Sequence, residues 1–168
     1  FLEMIEKVWM DTYTAEVGQQ TLRSYIPKQL LLVGSASYND DGSTTEGTAE
    51  GGRQIVLYSV NDFNFELEQI QSYAHVMHHE FAHILHQNVE YDAEFEKITP
   101  SYSSSWMQMN DETARSKGFI TAYAFSSADE DFAEMVSIML TNSPEDWDNM
   151  IENAGNAAAV EALRKKDA

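Results

Sequence analysis

The 168-residue sequence contains no cysteine. Disulfide bonds, cysteine-ligated zinc and a thiol nucleophile are therefore excluded. Basic residues are also scarce, because 10 Lys and Arg stand against 28 Asp and Glu and leave a formal net charge of −18. A nucleic-acid partner or an anionic membrane surface is not expected, since both require clustered positive charge. No apolar run approaches the roughly 20 residues needed to span a membrane.

Length and composition predict one folded domain. Apolar residues make up 43% of the chain and aromatic residues 11%, which is typical of a globular protein. A chain of this length can bury a sizeable core, so we expect residues 1–168 to form a single domain. The sequence starts at Phe1 and shows no signal peptide, so we interpret it as a processed or trimmed piece of a longer chain.

The most informative stretch is residues 78–83, His-His-Glu-Phe-Ala-His, which contains the pattern H-E-x-x-H. Residues four apart on an α-helix lie one above the other, so His79 and His83 can direct two imidazoles at one cation. Neutral imidazole is a good zinc ligand. Glu80 can then act as general base toward a zinc-activated water. The alternative is a set of histidines that serve only in hydrogen bonding.

The residues around this motif predict a helix over about residues 65–88. Its apolar positions recur at steps of three and four residues; they are Ile70, Ala74, Met77, Phe81, Ile84 and Leu85. Its histidines follow a different face; they are His75, His79, His83 and His86. Zinc in a catalytic site usually has three protein ligands. Because ligands on one straight helix spread along its axis at 1.5 Å per residue, we expect the third to come from another element.

A second helix, predicted over about residues 127–140, offers that ligand. Glu130 and Glu134 are four residues apart and share a face, with Asp131 about 100° away from Glu130. One glutamate can bind the metal while the other orients a ligand histidine.

The start of this helix can be capped in two ways. A capping box from Ser127 to Glu130 would occupy the Glu130 carboxylate, whereas a box from Ser126 to Asp129 leaves it free. The sequence does not decide between them.

The two motifs together resemble those of gluzincin metallopeptidases, which carry H-E-x-x-H on one helix and a glutamate ligand on a later one. The fit is closest to the anthrax lethal factor-like peptidases, whose second motif reads Tyr, six residues, Glu-x-x-Ala-Glu. The same spacing runs here from Tyr123 through Glu130 to Glu134. The resemblance implies that Glu130 binds zinc, that Glu134 lies behind it, and that the Tyr123 hydroxyl stabilises the developing oxyanion. On this assignment, Asp131→Ala is expected to have a zinc affinity close to that of the wild type.

The phrase His-His-Glu-Phe-Ala-His-Ile-Leu-His-Gln also resembles the zinc metallopeptidase lipoproteins found beside bacterial outer-membrane nutrient-import systems. This resemblance covers about residues 65–140 well and the flanks weakly. It implies an extracytoplasmic location, in the bacterial periplasm or at the cell surface, and a nutrient-import complex as partner. A lipoprotein carries a lipidated N-terminal cysteine, which this sequence does not contain.

Two strands are predicted, at residues 29–37 and 53–60, with a polar loop at residues 38–52 between them. The second strand precedes the histidine helix, and we interpret it either as an edge strand that pairs with an extended peptide or as an interior strand. In the loop, Asp40 and Asp41 offer a calcium site as an alternative, although the EF-hand spacing is missing. Further helices are predicted at residues 1–17, 145–153 and 157–166.

These observations predict an α+β, zincin-like fold: a small mixed β-sheet with packed helices, forming a metallopeptidase catalytic domain. We expect one Zn²⁺ per chain, held by His79, His83 and Glu130, and a peptide or protein substrate hydrolysed with Glu80 as general base. One alternative is a non-catalytic peptide- or glycan-binding module of a bacterial nutrient-uptake complex, and another is a zinc hydrolase of non-peptide amides or esters. The intact Glu80 favours an enzyme, because a pure binding site does not need this base.

Overall fold

The structure is a computed structural model and describes residues 1–40 and 42–168. The calcium alternative depends on Asp41, which lies outside the described residues. The chain divides into two compact units, residues 1–90 and residues 91–168, and each is described by itself. The expectation that they form a single catalytic domain stays a prediction. Within the described ranges, no helix is both long and apolar enough to cross a membrane.

The first unit begins with the helical segment predicted at residues 1–17. It consists of α1 (Leu2–Ile5), a π-helical stretch (Glu6–Asp11) and α2 (Thr12–Val17). Ile5, Trp9 and Tyr13 recur every four residues and are buried, which is the amphipathic pattern that predicted the helix. Gly18 ends α2 with a φ of 80°, a conformation that glycine adopts without strain. A helix without a sequence-based prediction, α3 (Gln19–Tyr25), follows.

Five strands follow among the described residues of the first unit. They are β1 (Gln29–Leu32), β2 (Ser37–Tyr38), β3 (Thr44–Thr45), β4 (Gly47–Glu50) and β5 (Gln54–Leu57). The main sheet has the order β1-β5-β4, with β5 parallel to β1 and antiparallel to β4. β2 and β3 form a separate antiparallel pair. The main sheet is therefore small and mixed, as predicted.

The edge strand next to β5 lies in the segment that was predicted to be a loop. Because β5 pairs on both sides, the interpretation of residues 53–60 as a substrate-pairing edge is wrong, and the interior alternative is confirmed. Its residues Ile55, Val56 and Leu57 are at most 3% exposed, which explains their continuous apolar run. β4 has one neighbour in the sheet, so its other edge is not paired within the sheet.

Helix α4 (Leu67–Asn88) carries the histidine motif and confirms the helix predicted for that stretch. Its apolar face is buried, with Met77, Phe81 and Ile84 at most 1% exposed. β4 packs against this helix at Gly47, where an added Cβ would lie 2.6 Å from Cγ1 of Val76. The absence of a side chain at Gly47 therefore allows the edge strand to approach the helix closely.

The second unit, residues 91–168, contains helices and no strand. They are α5 (Phe95–Ile98), α6 (Asp111–Arg115), α7 (Ala128–Thr141), α8 (Pro144–Glu152) and α9 (Ala157–Asp167), with 3₁₀ turns at Ser104–Gln108 and Tyr123–Phe125. Ser127, Ser143 and Asn156 cap the last three helices through side-chain oxygens that accept backbone N–H bonds. Phe119 and Ile120 lie in its core at 1% and 0% exposure. The strands of the first unit and the helices of both units confirm the predicted α+β class.

Candidate metal centre

In the first unit, α4 brings together the two histidines that the sequence predicted as metal ligands. His79 and His83 are one helical turn apart, and their Nε2 atoms lie 3.1 Å from each other. His79 is 7% exposed, so it is largely shielded from bulk water. The two nitrogens are thus close enough together to bind one ion.

This separation can be tested against the geometry of bound zinc. Two nitrogens at about 2.0–2.1 Å from one tetrahedral ion are about 3.3–3.4 Å apart. The observed 3.1 Å differs from that value by a few tenths of an ångström, within the reach of small side-chain rotations. The spacing of the histidine pair therefore fits a zinc ion, for which imidazole nitrogen is a common ligand.

Glu80 follows the first of these histidines and is 8% exposed. Glu80 and the two histidines belong to the same helix, α4. A Cβ at Gly47 would lie 3.2 Å from Cγ of Glu80, so β4 passes close to the Glu80 side chain. Gly47 was not identified from the sequence, because its segment was predicted to be a loop. A glycine within a strand often marks a close backbone approach.

A cavity of about 190 Å³ adjoins the same strand and helix. Its lining includes Glu46, which precedes β4, and Tyr73 and Val76 from the first half of α4. Asp62 also lines the cavity, and the Tyr73 hydroxyl donates a hydrogen bond to the carbonyl of Tyr58 at 3.0 Å. Burial raises the pKa of Tyr73, and the Glu46 and Asp62 carboxylates add to that shift. The cavity is thus polar and acidic.

The remaining histidines of α4 have different surroundings. Nδ1 of His83 lies 3.3 Å from Nε2 of His86, and the His75 ring centroid is 6.0 Å from that of His79. His78 is 1% exposed and packs beside Tyr13. Burial lowers the pKa of His78 to about 4, so this ring is neutral in the folded protein at pH 7. The second histidine of the His-His pair is a metal-ligand candidate, and the first belongs to the core.

In the second unit, α7 carries the acidic residues predicted to complete the site. Ser127 is its N-cap, and its Oγ accepts a hydrogen bond from the Glu130 N–H at 3.2 Å. The hydroxyl of Ser126 instead donates to the Tyr123 carbonyl at 2.7 Å. Ser127 is therefore the N-cap of α7, and this hydrogen bond uses the backbone N–H of Glu130 rather than its carboxylate. Glu130 is half-buried in the first turn of the helix.

Glu134 is 3% exposed and lies one turn further along α7. The Thr121 hydroxyl donates a hydrogen bond of 2.6 Å to its Oε2, and Thr121 Oγ1 accepts one from the Ala124 N–H at 3.1 Å. Thr121 therefore connects Glu134 to the 3₁₀ turn that carries Tyr123. Thr121 was not predicted, because no local sequence pattern links a loop threonine to a carboxylate 13 residues later.

Tyr123 is 38% exposed, so its ring is accessible. It packs edge-on against Trp106, with ring centroids 4.9 Å apart. This contact is one that aromatic pairs favour, and it restricts the orientation of the tyrosine side chain.

Asp131 has a different role from its two glutamate neighbours. Its carboxylate is fully buried and forms an ion pair of 2.5 Å with Lys166 of α9. Tyr102 donates a hydrogen bond of 3.0 Å to the same oxygen. Burial raises the pKa of Asp131 to about 6, against the opposing effect of the ammonium. Loss of the Asp131 side chain would leave Lys166 charged in the core, so we expect Asp131→Ala to destabilise the fold. The expectation that this change alters zinc affinity little stays a prediction.

The whole chain, residues 1–168, matches the model of a protein family described as "Putative zinc-binding metallo-peptidase". Among solved structures, the chain is similar to the crystal structure of a "putative zinc-binding metallo-peptidase from Bacteroides caccae ATCC 43185", with a TM-score of 0.79 and 34% sequence identity. The match covers 98% of this chain and 64% of that one, so the chain spans just under two thirds of that protein's length. A comparison with the curated proteins found no match.

Proposed function

The chain belongs to this family of zinc-binding metallo-peptidases, and from that premise we propose that it hydrolyses peptide bonds with Zn²⁺ held by His79, His83 and Glu130. The observation that carries the proposal is the convergence of the two histidine Nε2 atoms at 3.1 Å, with Glu80 next to them in sequence. A site that only bound metal would need the two histidines but not this carboxylate.

The choice of Glu130 as third ligand is supported by what the other two acidic residues of α7 already do. The Asp131 carboxylate is committed to Lys166 and Tyr102. Oε2 of Glu134 accepts a short hydrogen bond from Thr121, which suits a residue that orients a ligand rather than one that binds metal. The spacing from Tyr123, and the resemblance to lethal factor-like peptidases, support the same choice.

The proposed mechanism assigns one role to each residue. When bound, zinc acts as a Lewis acid and lowers the pKa of water toward about 7. Glu80 accepts a proton from the attacking water and returns it to the leaving amine nitrogen, which completes hydrolysis of the C–N bond. The Tyr123 hydroxyl donates a hydrogen bond to the oxyanion of the tetrahedral intermediate. Glu134, fixed by Thr121, orients the histidine ligands.

A peptide substrate is supported by the edge strand β4. The Tyr58 N–H donates to the Glu46 carbonyl at 2.9 Å, so the alternation of an antiparallel ladder directs the backbone groups of Gly47 and Ala49 toward the unpaired edge. An extended peptide that adds to this edge would pass beside Glu80. The adjoining cavity of about 190 Å³ has room for a substrate side chain, and its carboxylates disfavour an acidic one.

We also propose an extracytoplasmic location, in the bacterial periplasm or at the cell surface, and association with an outer-membrane nutrient-import complex. The support is the motif resemblance. Because the chain spans 64% of the Bacteroides caccae protein, the activity, substrates and partners of the whole protein are all part of this proposal. Cell fractionation followed by co-purification with the outer membrane tests it.

The experiment that tests the catalytic proposal is Glu80→Gln, which preserves the shape of the side chain and removes the base. We expect the variant to retain zinc and to lose about 10²–10⁴-fold in peptide hydrolysis, the usual contribution of general acid–base catalysis. Glu68→Gln is the matched control, since Glu68 is an exposed residue in the first turn of the same helix. Hydrolysis at the wild-type rate by Glu80→Gln contradicts the mechanism.

The same assay separates the enzyme from the alternative, a non-catalytic peptide- or glycan-binding module. Such a module would bind its ligand and zinc but would cleave no peptide, and Glu80→Gln would leave binding unchanged. Cleavage that disappears with Glu80 supports the peptidase.

A further inference from the structure

His83 lies between two other histidines on one face of α4. Its Nε2 is 3.1 Å from Nε2 of His79, and its Nδ1 is 3.3 Å from Nε2 of His86. The ring of His86 meets that of His83 edge-on, with centroids 5.5 Å apart. The two nitrogens of His83 therefore have separate nitrogen partners in opposite directions along the helix.

This arrangement restricts how the three rings can carry their protons. A neutral imidazole has one N–H and one lone pair. If Nε2 of His83 is to bind a metal, its proton must be on Nδ1. That N–H then points at Nε2 of His86, which can accept it when His86 carries its own proton on Nδ1.

We propose that His86 is a positioning residue, which accepts a hydrogen bond from Nδ1–H of His83 and thereby holds the Nε2 lone pair of His83 toward the metal site. The inference rests on the metal site proposed above and adds a residue to it. Histidines that bind zinc usually donate their second N–H to a carboxylate, a backbone carbonyl or water. Here an imidazole takes the place of that acceptor.

The geometry also explains why His86 is a poor candidate for a zinc ligand beside His79 and His83. Its Nε2 approaches the Nδ1 side of the His83 ring, whereas the nitrogens of the proposed site meet at the Nε2 side. A single ion cannot bind Nε2 of His79 and lie on the opposite side of His83. The third histidine of the series thus acts through its neighbour.

The metal-free protein gives the sharpest test, because His83 can then adopt either of two neutral tautomers. It can place its proton on Nδ1 and donate to His86, or on Nε2 and donate to His79. The proposal predicts the Nδ1–H form in the wild-type protein. Long-range ¹H–¹⁵N NMR spectra of the imidazole rings distinguish the two forms, at a pH above the range in which histidine titrates.

Two variants test the role of the acceptor. His86→Leu removes it, and we expect His83 to shift toward the Nε2–H form and zinc affinity to fall about 10–100-fold, as is typical for loss of a residue that orients a ligand. His86→Gln supplies an amide oxygen as acceptor and should recover most of both properties. Gln87→Leu, at the exposed neighbouring position, controls for the change in surface polarity, and thermal melting confirms that each variant is folded.

Zinc affinity is measured by competition with a chromogenic chelator, so neither readout depends on peptide hydrolysis. The proposal is overturned if metal-free wild-type His83 carries its proton on Nε2, or if His86→Leu keeps the wild-type tautomer whatever its zinc affinity. If the wild-type protein bound no zinc, the proposed function would fail, while the tautomer of His83 would still decide the role of His86.

Discussion

The buried ion pair between Lys166 and Asp131 gives the most quantitative prediction about the second unit. The Lys166 ammonium lies 2.5 Å from the Asp131 carboxylate and donates to the Gly118 carbonyl at 2.8 Å. It also sits 4.3 Å from the ring centroid of Phe119. Both charged side chains are 0% exposed. Lys166→Met keeps an unbranched apolar side chain and removes the charge.

The loss of stability in Lys166→Met depends on the contacts that remain for the Asp131 carboxylate. After the change, its buried carboxylate keeps the hydrogen bond from Tyr102 but no cation, and the Gly118 carbonyl loses the Lys166 donor. Removing one partner of a buried pair typically costs about 3–5 kcal/mol, because the other charge remains uncompensated. Since domains of this size are stable by about 5–15 kcal/mol, the loss should be a large fraction of the total.

Urea unfolding at pH 7 and pH 5 measures this cost. Without the ammonium, the pKa of Asp131 should rise above its present value of about 6. The carboxyl group is then neutral at pH 5, so the destabilisation should be smaller there than at pH 7. A double variant, Asp131→Leu with Lys166→Met, should recover part of the stability, because an apolar pair leaves no buried charge.

The neighbouring residue provides the control. Lys165 forms an exposed i,i+4 pair with Glu161, and exposed pairs contribute little to stability. We therefore expect Lys165→Met to unfold close to the wild-type midpoint. If Lys166→Met were no less stable than Lys165→Met, the ion pair would not stabilise this unit, and the reasoning about Asp131 would be refuted.

Two further predictions concern α4 and α7. The pKa of His78 is about 4 in the folded protein, below its ordinary value of 6.5. Below pH 6.5 the unfolded chain therefore binds a proton at His78 that the folded protein does not bind. The free energy of unfolding is unaffected by His78 above pH 6.5 and decreases as the pH falls toward 4. The full decrease in the free energy of unfolding is about 3 kcal/mol. In thermal melting, His78→Phe should therefore lose less stability between pH 7 and pH 4.5 than the wild type. An unchanged pH dependence of the melting temperature contradicts this prediction. On α7, chelator competition should show that Glu130→Ala abolishes tight zinc binding, whereas Glu134→Ala weakens it about 10–100-fold. The reverse order would make the ligand assignment wrong.

The elements that the sequence predicted well are those with a periodic apolar face. Helix α4 was predicted over 65–88 and observed at Leu67–Asn88, because its buried positions recur at helical spacing. The same periodicity predicts that His78 is buried, because it lies four residues after Ala74 and three before Phe81. All three residues are buried. The H-E-x-x-H pattern that overlaps this periodicity predicts metal ligands only at His79 and His83.

Edge strand β4 was missed for a physical reason. Its residues Gly-Thr-Ala-Glu include no bulky apolar side chain, because one side of the strand packs closely on α4 at Gly47 and one edge is unpaired. A strand of this kind has neither the alternation nor the β-branched run on which sequence prediction depends. The three residues Ile55, Val56 and Leu57 were recognised as a strand, but an apolar run alone cannot distinguish an edge strand from an interior one.

The contacts that were beyond sequence analysis join residues far apart in the chain. Lys166 and Asp131 are 35 residues apart, and neither has a local pattern that indicates the other. The same holds for Thr121 and Glu134. Each partner is chosen by the packing of helices and loops in the second unit, so it becomes visible only when the fold is known.

The central claim, zinc-dependent peptide hydrolysis at the His79–His83 pair, is tested most directly by measuring metal content and cleavage on one preparation. The protein should contain about one zinc per chain and cleave a quenched fluorescent peptide. It should lose both properties after chelation and regain both when zinc is restored, and His83→Ala should retain neither. Undiminished cleavage by the metal-free protein, or full zinc occupancy in His83→Ala, would contradict the account.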